Sequence, residues 1–574
     1  MRRYLLPALL SLIVLPLHAQ SFKGVGAPSN PKVQIAWNRY NDYAGITDIC
    51  RRLAAAHPGL VRMESIGRST QGREMWALVV TSAKGDAAAK PGYYIDGNIH
   101  SNEIQGTEVA LYTAWYLAEM YGKVEMITEL VDTRVFYIVP TINPDAREHF
   151  MTQPNDAHSP RSGLAPRDDD GDGLFDEDGD DDLDGDGNIT DMRRRDPNGR
   201  WKADPRDPRL MVRAEPGEQG EFERLGSEGF DNDGDGQVNE DGPGYYDPNR
   251  DWGWNWQPRY VQFGADRYPF TFVETRNVRD FILSHPNIAG AQSYHNAGGM
   301  ILRGPGAEED APTYSQRDIG VYDALGKLGE DVLPGYKYMT TYKDLYTTYG
   351  GEIDWLFSMR GIFSFTNELW SSFNMFGRKE NEDDLFGSDR EQYRFDRELL
   401  FGEGVVDWHE IDHPQYGKVE VGGTTKNWTR INPTFMLEEM AHRNMAFTLY
   451  HAWHMPKLEV QQVSTRSIGG GLTEVTATVA NSRIIPTHSE WDVKNRITPP
   501  DYISISGGKV LSGAIVVNRN LGLADEQRVR PERLEVASIP GQGYVTLRWI
   551  VSGSGPYTVT VESQKGGRAT GRNS

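Results

Sequence analysis

A chain of 574 residues exceeds one typical domain, because single cores stop growing near roughly 300 residues, so two folded units are expected. With 38 % hydrophobic residues, 14 Trp and 27 Tyr, the composition excludes a mostly disordered chain. The formal charge of −22 argues against a nucleic-acid partner, and it is local: 13 acidic and no basic residues lie between Asp168 and Asp191, and 8 acidic and one basic between Glu228 and Asp251.

Met1-Arg2-Arg3, an apolar run from Tyr4 to Leu17 and His18-Ala19-Gln20 read as a secretory signal cleaved after Ala19. The run is shorter than the roughly 20 residues of a membrane span, so a secreted or periplasmic product without a span is expected. Cys50 is the single cysteine, and an exported chain of this kind must be stable without an internal disulfide. It lies in an amphipathic stretch, Ile46 to Leu53, and is read as a packing residue.

Short apolar strands are predicted at Met75–Val80, Tyr93–Gly97, Val135–Val139 and Ile288–Tyr294, with helices at Glu108–Tyr121 and Glu274–Leu283 between them. Strands alternating with helices imply an α/β unit whose largely parallel or mixed sheet is covered on both faces. From about Gln153 to Gly244 a Gly-, Asp-, Pro- and Arg-rich insertion breaks the pattern. After about Lys457 helices are absent, and alternating segments such as Glu474–Val479 and Tyr557–Val561 suggest a small antiparallel β-sandwich. The division is therefore 1–19 signal, 20–456 α/β unit with the insertion at about 153–244, and 457–574 β-sandwich, with Gly566–Ser574 read as a frayed tail.

Ile95-Asp96-Gly97-Asn98-Ile99-His100-Ser101-Asn102-Glu103 carries a buried strand into a turn with a His and a Glu three apart, just ahead of a helix. Ligands in open α/β sheets bind beyond the carboxyl ends of strands, and an imidazole with a carboxylate can hold one zinc there. His-x-x-Glu alone is most often an ordinary loop. His295, in Gln292-Ser293-Tyr294-His295-Asn296 at another strand end, completes a two-His, one-carboxylate set that leaves a position for water.

With these segments, Tyr246-Asp247-Pro248-Asn249-Arg250-Asp251-Trp252 and Leu345–Trp355 followed by Ile362–Leu369 make the chain resemble the zinc carboxypeptidase family, that of pancreatic carboxypeptidase A, over roughly Val33 to Trp453. The resemblance implies a three-layer α/β/α sandwich with a mixed, mostly parallel sheet and one zinc per chain held by His100, Glu103 and His295. It implies Glu368 as the general base acting on zinc-bound water, and Asn249, Arg250 and Tyr346 as binders of a peptide's free terminal carboxylate. Arg193, with Arg194 as the alternative, takes the place of the arginine that polarises the scissile carbonyl. Ile353 aligns with the base of the specificity pocket and implies a neutral or apolar terminal side chain. Asn102 departs from the pancreatic pattern, which has an arginine there, and no large pro-segment is expected. Rival readings are a peptidoglycan or other amide hydrolase on the same scaffold, and an inactive calcium-dependent binding protein. Oligomeric state is not legible.

Three acidic loops, Asp168-x-Asp170-x-Asp172-Gly173, Asp182-x-Asp184-x-Asp186-Gly187 and Asp231-x-Asp233-x-Asp235-Gly236, resemble calcium loops in their alternating carboxylates and turn glycines. They lack the glutamate expected at the twelfth position, and Asp178, Asp191 and Glu240 are the nearer closing acids.

Overall fold

The computed structural model describes residues 24–168, 171–244, 246–379 and 385–573; the expected signal segment, Asp170 and Ser574 lie outside them. In chain order the strands are β1 (Val61–Arg68), β2 (Glu74–Val80), β3 (Gly92–Gly97) and β4 (Val135–Val139). Then come β5 (Asp191–Arg195), β6 (Trp201–Asp204), β7 (Asp207–Arg213) and β8 (Phe222–Ser227). β9 (Ile288–Asn296), β10 (Met300–Arg303), β11 (Lys337–Thr340), β12 (Phe363–Leu369), β13 (Val405–His413) and β14 (Gly417–Thr424) follow.

Eight strands form the central sheet in the order β1-β2-β4-β3-β9-β12-β10-β11. Its middle four, β4, β3, β9 and β12, are parallel, and antiparallel pairings flank them on both sides. Alternate side chains leave opposite faces of a strand. Tyr93, Ile95, Phe136 and Ile138 join a core with the helices Gln105–Met120 and Leu437–Trp453. Tyr94, Val135, Tyr137 and Val139 join another with Val278, Phe281 and Trp355 on the opposite side. Helices thus cover both faces of a mixed, mostly parallel sheet, and the carboxyl ends of β3, β9 and β12 lie side by side along one edge of the layer.

The segment read as an insertion is more ordered than its composition suggests. β5 to β8 assemble with β13 and β14 into a second sheet, in the order β13-β14-β5-β8-β6-β7. The pattern of β5, Asp-Met-Arg-Arg-Arg, hides this, because charge pairing across strands replaces apolar alternation. Arg193 faces Glu420 of β14 in register, and Arg194 faces Glu223 of β8.

Beyond residue 457 two antiparallel sheets of five and four strands enclose Val475, Leu547, Trp549, Val559 and Val561. Two expectations fail there. The tail read as frayed contains the strand Gly567–Arg572, paired along its length with Thr558–Ser563 and anchored by Ala569 against the core. A short helix, Glu490–Asn495, interrupts the helix-free stretch, its first turn capped by Ser489 accepting from the Asp492 amide. That helix meets the α/β unit. Trp491 Nε1 donates to Ser358 O at 3.0 Å, and the buried Lys565 ammonium donates to Arg360 O and Gly361 O, both at 2.6 Å, while pairing with Asp492 at 3.2 Å. No described helix is long and apolar enough to cross a membrane. Cys50 is fully buried, and burial pushes its thiol up to about 12.

Candidate metal centre and active site

The turn after β3 is built to hold a rigid ligand pair. Gly97 packs against the start of the helix Gln105–Met120 so closely that a Cβ there would lie 2.6 Å from the Gly106 carbonyl carbon, and a Cβ on Gly106 would lie 2.9 Å from Tyr294 O. Two glycines thereby bring the His100–Glu103 turn against β9, one residue from His295. Asn98, at φ +60°, turns the chain and donates to the carbonyls of His100 and Ser101 at 2.7 and 3.0 Å.

His100 Nδ1 lies 3.0 Å from Glu103 Oε1, His295 Nδ1 lies 3.0 Å from Glu103 Oε2, and the two Nδ1 atoms are 3.1 Å apart. All three residues are buried. A tetrahedral ion with bonds of about 2.0 Å places its ligands ~3.3 Å apart. The edges of this triangle are of that size, so the donor set fits zinc. Asp247 Oδ1 accepts from His100 Nε2 at 2.8 Å and fixes the ring with Nδ1 facing the cluster.

Glu103 is also reached by two guanidiniums. Arg161 Nη1 lies at 2.5 Å and Arg430 Nη2 at 3.4 Å, the latter also donating to Asn296 O at 2.6 Å. Burial alone raises this carboxyl, but His100 and Arg161 outweigh it and hold the group well below the usual range. Arg161 comes from a segment stitched to the ligand turn. Asn102 Nδ2 donates to Ala157 O and His158 O at 3.2 and 3.1 Å, Ser101 Oγ to Pro160 O, and the Ser101 amide to Arg161 O at 3.0 Å. Asn102 thus braces the segment that brings a guanidinium to Glu103.

Glu368 stands opposite His295 in the parallel pairing of β12 with β9. Burial and the nearby Glu103 carboxylate push its carboxyl up to about 7, against His295, Arg161 and Arg430. Asn249 and Arg250 follow Asp247 in a single 3₁₀ turn. Asn249 Oδ1 accepts from the Glu352 amide at 2.9 Å, and the Trp252 amide donates to Gly350 O at 2.9 Å. These bonds join the Asn-Arg turn to the loop that precedes the helix Glu352–Arg360. Arg250 Nη1 donates to Asn249 O at 2.8 Å and lies 3.7 Å from Asp247. The surrounding groove, of about 990 Å³, is lined by Arg161, Asp247, Arg250, Gln262 and Phe263 and by Asp180 to Asp182 of the acidic segment.

The structure does not bring every expected residue together. Arg193 is a correction: its guanidinium is held by Glu420 at 2.6 Å and sandwiched between Phe222 and Trp408, 3.9 and 4.0 Å from their ring centres. Arg194 pairs with Glu223 at 2.6 Å. Both are consumed by the second sheet, and Arg161 and Arg430 are the arginines that reach the cluster. Tyr346 follows the turn Thr341–Leu345, is 49 % exposed and makes no side-chain hydrogen bond to the cluster. Ile353 is partly buried in the first turn of its helix.

The acidic loops group their carboxylates otherwise than their linear order suggests. Among the described residues Asp182 and Asp184 converge with Glu228, Asp233 and Asp235 with Glu240, Asp172 and Glu177 with Asp233, and Asp178 with Asp231 and Asp233. Glu240 lies with Asp233 and Asp235 of the third loop. Glu228 replaces Asp191, which pairs with Arg224 at 2.7 Å. Asp168 caps its own loop, accepting from the Gly171 and Gly173 amides at 2.6 and 3.2 Å, and Asp182 accepts from Gly185 and Gly187 at 2.8 and 2.9 Å. Asp186 accepts from the Asn188 amide at 2.7 Å.

A mixed sheet with a two-His, one-Glu cluster at its strand ends is a centre that can hold one metal ion. The chain matches the zinc carboxypeptidase family over residues 46–205 and 223–383, more than half its length, and belongs to that family. Residues 457–572 match a domain of unknown function, DUF8731. Similar curated proteins are human carboxypeptidase D, 31 % identical over 121 residues (21 % of this chain, 9 % of that protein), and mouse carboxypeptidase M, 32 % over 111 residues (19 and 25 %). The inactive metallocarboxypeptidase ECM14 of Ajellomyces capsulatus is 33 % identical over 129 residues (22 % of each chain). The chain thus matches a quarter or less of the length of these relatives. Similar solved structures include Helicoverpa armigera carboxypeptidase A, with 19 % identity, a TM-score of 0.38 and coverage of 59 and 67 % of the two chains. Bovine thrombin-activatable fibrinolysis inhibitor in complex with tick carboxypeptidase inhibitor has 15 % identity, a TM-score of 0.40 and coverage of 73 and 98 %.

Proposed function

We propose that this chain is an exported zinc metallocarboxypeptidase that hydrolyses the terminal peptide bond of peptides, releasing a neutral or apolar residue. The observation that carries the reading is the alignment of Glu368 with His295 on adjacent strand ends, one residue of each strand facing the same buried ligand cluster. His100, Glu103 and His295 would hold a zinc ion, which when bound would supply Lewis-acid chemistry and a water acidified toward about pKa 7. Glu368 takes the proton of the attacking water and delivers it to the leaving nitrogen. Arg250, with Asn249, receives the terminal carboxylate, and Arg161 donates to the carbonyl oxygen as charge develops there, the role expected of Arg193. The apolar preference rests on the resemblance, which aligns Ile353 with the base of the specificity pocket.

Hydrolysis of blocked dipeptides ending in Phe, Leu, Lys or D-Ala, with wild type and Arg250→Met, tests this reading. Phe and Leu should be released. A charge-assisted pair is worth about 2–3 kcal/mol, so Arg250→Met should raise KM roughly 30- to 150-fold. Cleavage confined to D-Ala would move the reading to cell-wall amides, and cleavage of substrates with amidated termini at undiminished rate would end the exopeptidase claim. Intact His100, Glu103, His295 and Glu368 speak against an inactive binding protein.

Calcium in the acidic loops belongs to the same proposal: the cation would order the wall of the groove formed by Asp180 to Asp182. Calcium should then lower KM and raise the melting temperature of zinc-loaded protein, and Asp182→Asn with Asp184→Asn should remove both effects. A calorimetric titration without heat at millimolar calcium would sink it.

A further inference from the structure

The C-terminal sandwich meets the α/β unit through a closed cluster of charges centred on His488, which is 4 % exposed. Its Nε2 lies 3.0 Å from Asp501 Oδ1, and its Nδ1 lies 2.9 Å from Thr498 Oγ1 and 3.3 Å from Asp492 Oδ2. The hydrogens available fix the state of the ring. Thr498 spends its one hydroxyl hydrogen on Asp492 Oδ2 at 2.7 Å, so toward the imidazole its oxygen can only accept. An ionised Asp501 only accepts as well, its other oxygen taking the Thr487 hydroxyl at 2.5 Å. Both ring nitrogens therefore donate, which an imidazolium can do and a neutral imidazole cannot.

The side chains of His488, Lys565, Asp492 and Asp501 are all 3 % exposed or less, and with His488 protonated they set two positive charges against two negative ones. Loss of the His488 proton leaves one negative charge buried without a counterpart. Asp492 carries that change to the interface. The oxygen it turns toward His488 also pairs with Lys565 Nζ at 3.2 Å, and Lys565 in turn donates to Arg360 O and Gly361 O. Trp491, the next residue, donates to Ser358 O. Three other charged groups stand nearby. Arg360 is partly buried on the α/β side, Asp318 accepts from the Glu490 amide at 3.2 and 3.1 Å, and Arg317 pairs with Glu490 at 2.9 Å on the exposed rim.

We infer that His488 is a proton-operated latch: protonated, it locks the sandwich onto the α/β unit, and loss of its proton loosens the Asp492–Lys565 hold on Arg360 and Gly361. Burial disfavours the charged ring, but Asp492 and Asp501 outweigh it and Lys565, and hold the imidazole above its ordinary value. A group raised in this way lends stability that is complete below its unfolded value of about 6.5 and is lost as pH rises through the folded one. The latch thus closes in acid and opens toward alkali. Burial pushes Asp318 up to about 6, so its titration falls on the acid side of that range.

Hydrogen exchange of zinc-loaded full-length protein between pH 6 and pH 9, expressed as protection factors, tests this. Protection of the helix Glu490–Asn495 and of the amides around Gly361 should fall roughly tenfold or more over that range, while β3 and β9 stay unchanged. In His488→Gln, which cannot carry the charge, protection of the same segments should already be low at pH 6 and should not vary with pH. Asp501→Asn removes one of the two carboxylates that retain the proton, so there the fall should begin at lower pH than in wild type. Constant protection in wild type overturns the inference. So does a fall at the same pH in wild type and both variants, which would assign it to Asp318 or another group.

Discussion

Glu368→Gln is expected to lower kcat by about 10²–10⁴-fold, the usual contribution of a positioned general acid–base group, with KM within a few-fold of wild type and zinc content unchanged. The amide preserves shape and removes the ability to carry a proton. Glu368 stands beside His295 rather than in the ligand triangle, so the variant should still load zinc. Its signature is the pH profile. Burial and Glu103 push the Glu368 carboxyl up to about 7. A divalent ion on Glu103 offsets that carboxylate and moves the value downward. A base works only when deprotonated, so wild-type kcat/KM should rise with pH through this group and level off above it. The residual activity of Glu368→Gln should lack that limb. An unchanged limb in the variant would assign the ionisation elsewhere, and an unchanged kcat would remove Glu368 from the chemistry.

His295→Ala should reduce bound zinc from one per chain to a small fraction at micromolar metal, and activity by at least about 10³-fold, because two ligands do not hold a tetrahedral ion against competition from water. Chelation of the wild type should give the same loss, reversed by added zinc. The fold should survive both. Glu103 keeps Arg161 and Arg430 when metal leaves, so no buried carboxylate is stranded without a partner. Far-ultraviolet circular dichroism would therefore be unchanged while metal content, read by atomic absorption, collapses. Full zinc occupancy in His295→Ala would show that the ion is held elsewhere.

Much of this was legible in the sequence where one element carries the signal. The apolar runs of β3, β4 and β9 announce buried strands, and His100, Glu103 and His295 fall at strand ends where an α/β sheet binds ligands. The resemblance singles out Asn249 and Arg250, and the bond from the Glu352 amide to Asn249 joins that turn to a distant segment. What escaped depends on long-range contacts. Arg161 has no motif around it; it is brought to Glu103 through the carbonyls that Asn102 and Ser101 bind. Arg430 arrives from about 330 residues beyond Glu103. Arg193 misled because a basic run beside an acidic loop looks available, whereas Glu420, Phe222 and Trp408, all distant in the chain, had already claimed it. Asp247 was visible only as a neighbour of Asn249, and its bond to His100 spans 147 positions.

Lys565 donates to the two carbonyls at the bend between the helix Glu352–Arg360 and β12, the strand that ends in Glu368. The C-terminal unit thus grips the bend that leads into β12. Evolutionary exchange of this unit for an unrelated one would leave two carbonyls without a donor, so the two units should be inherited together.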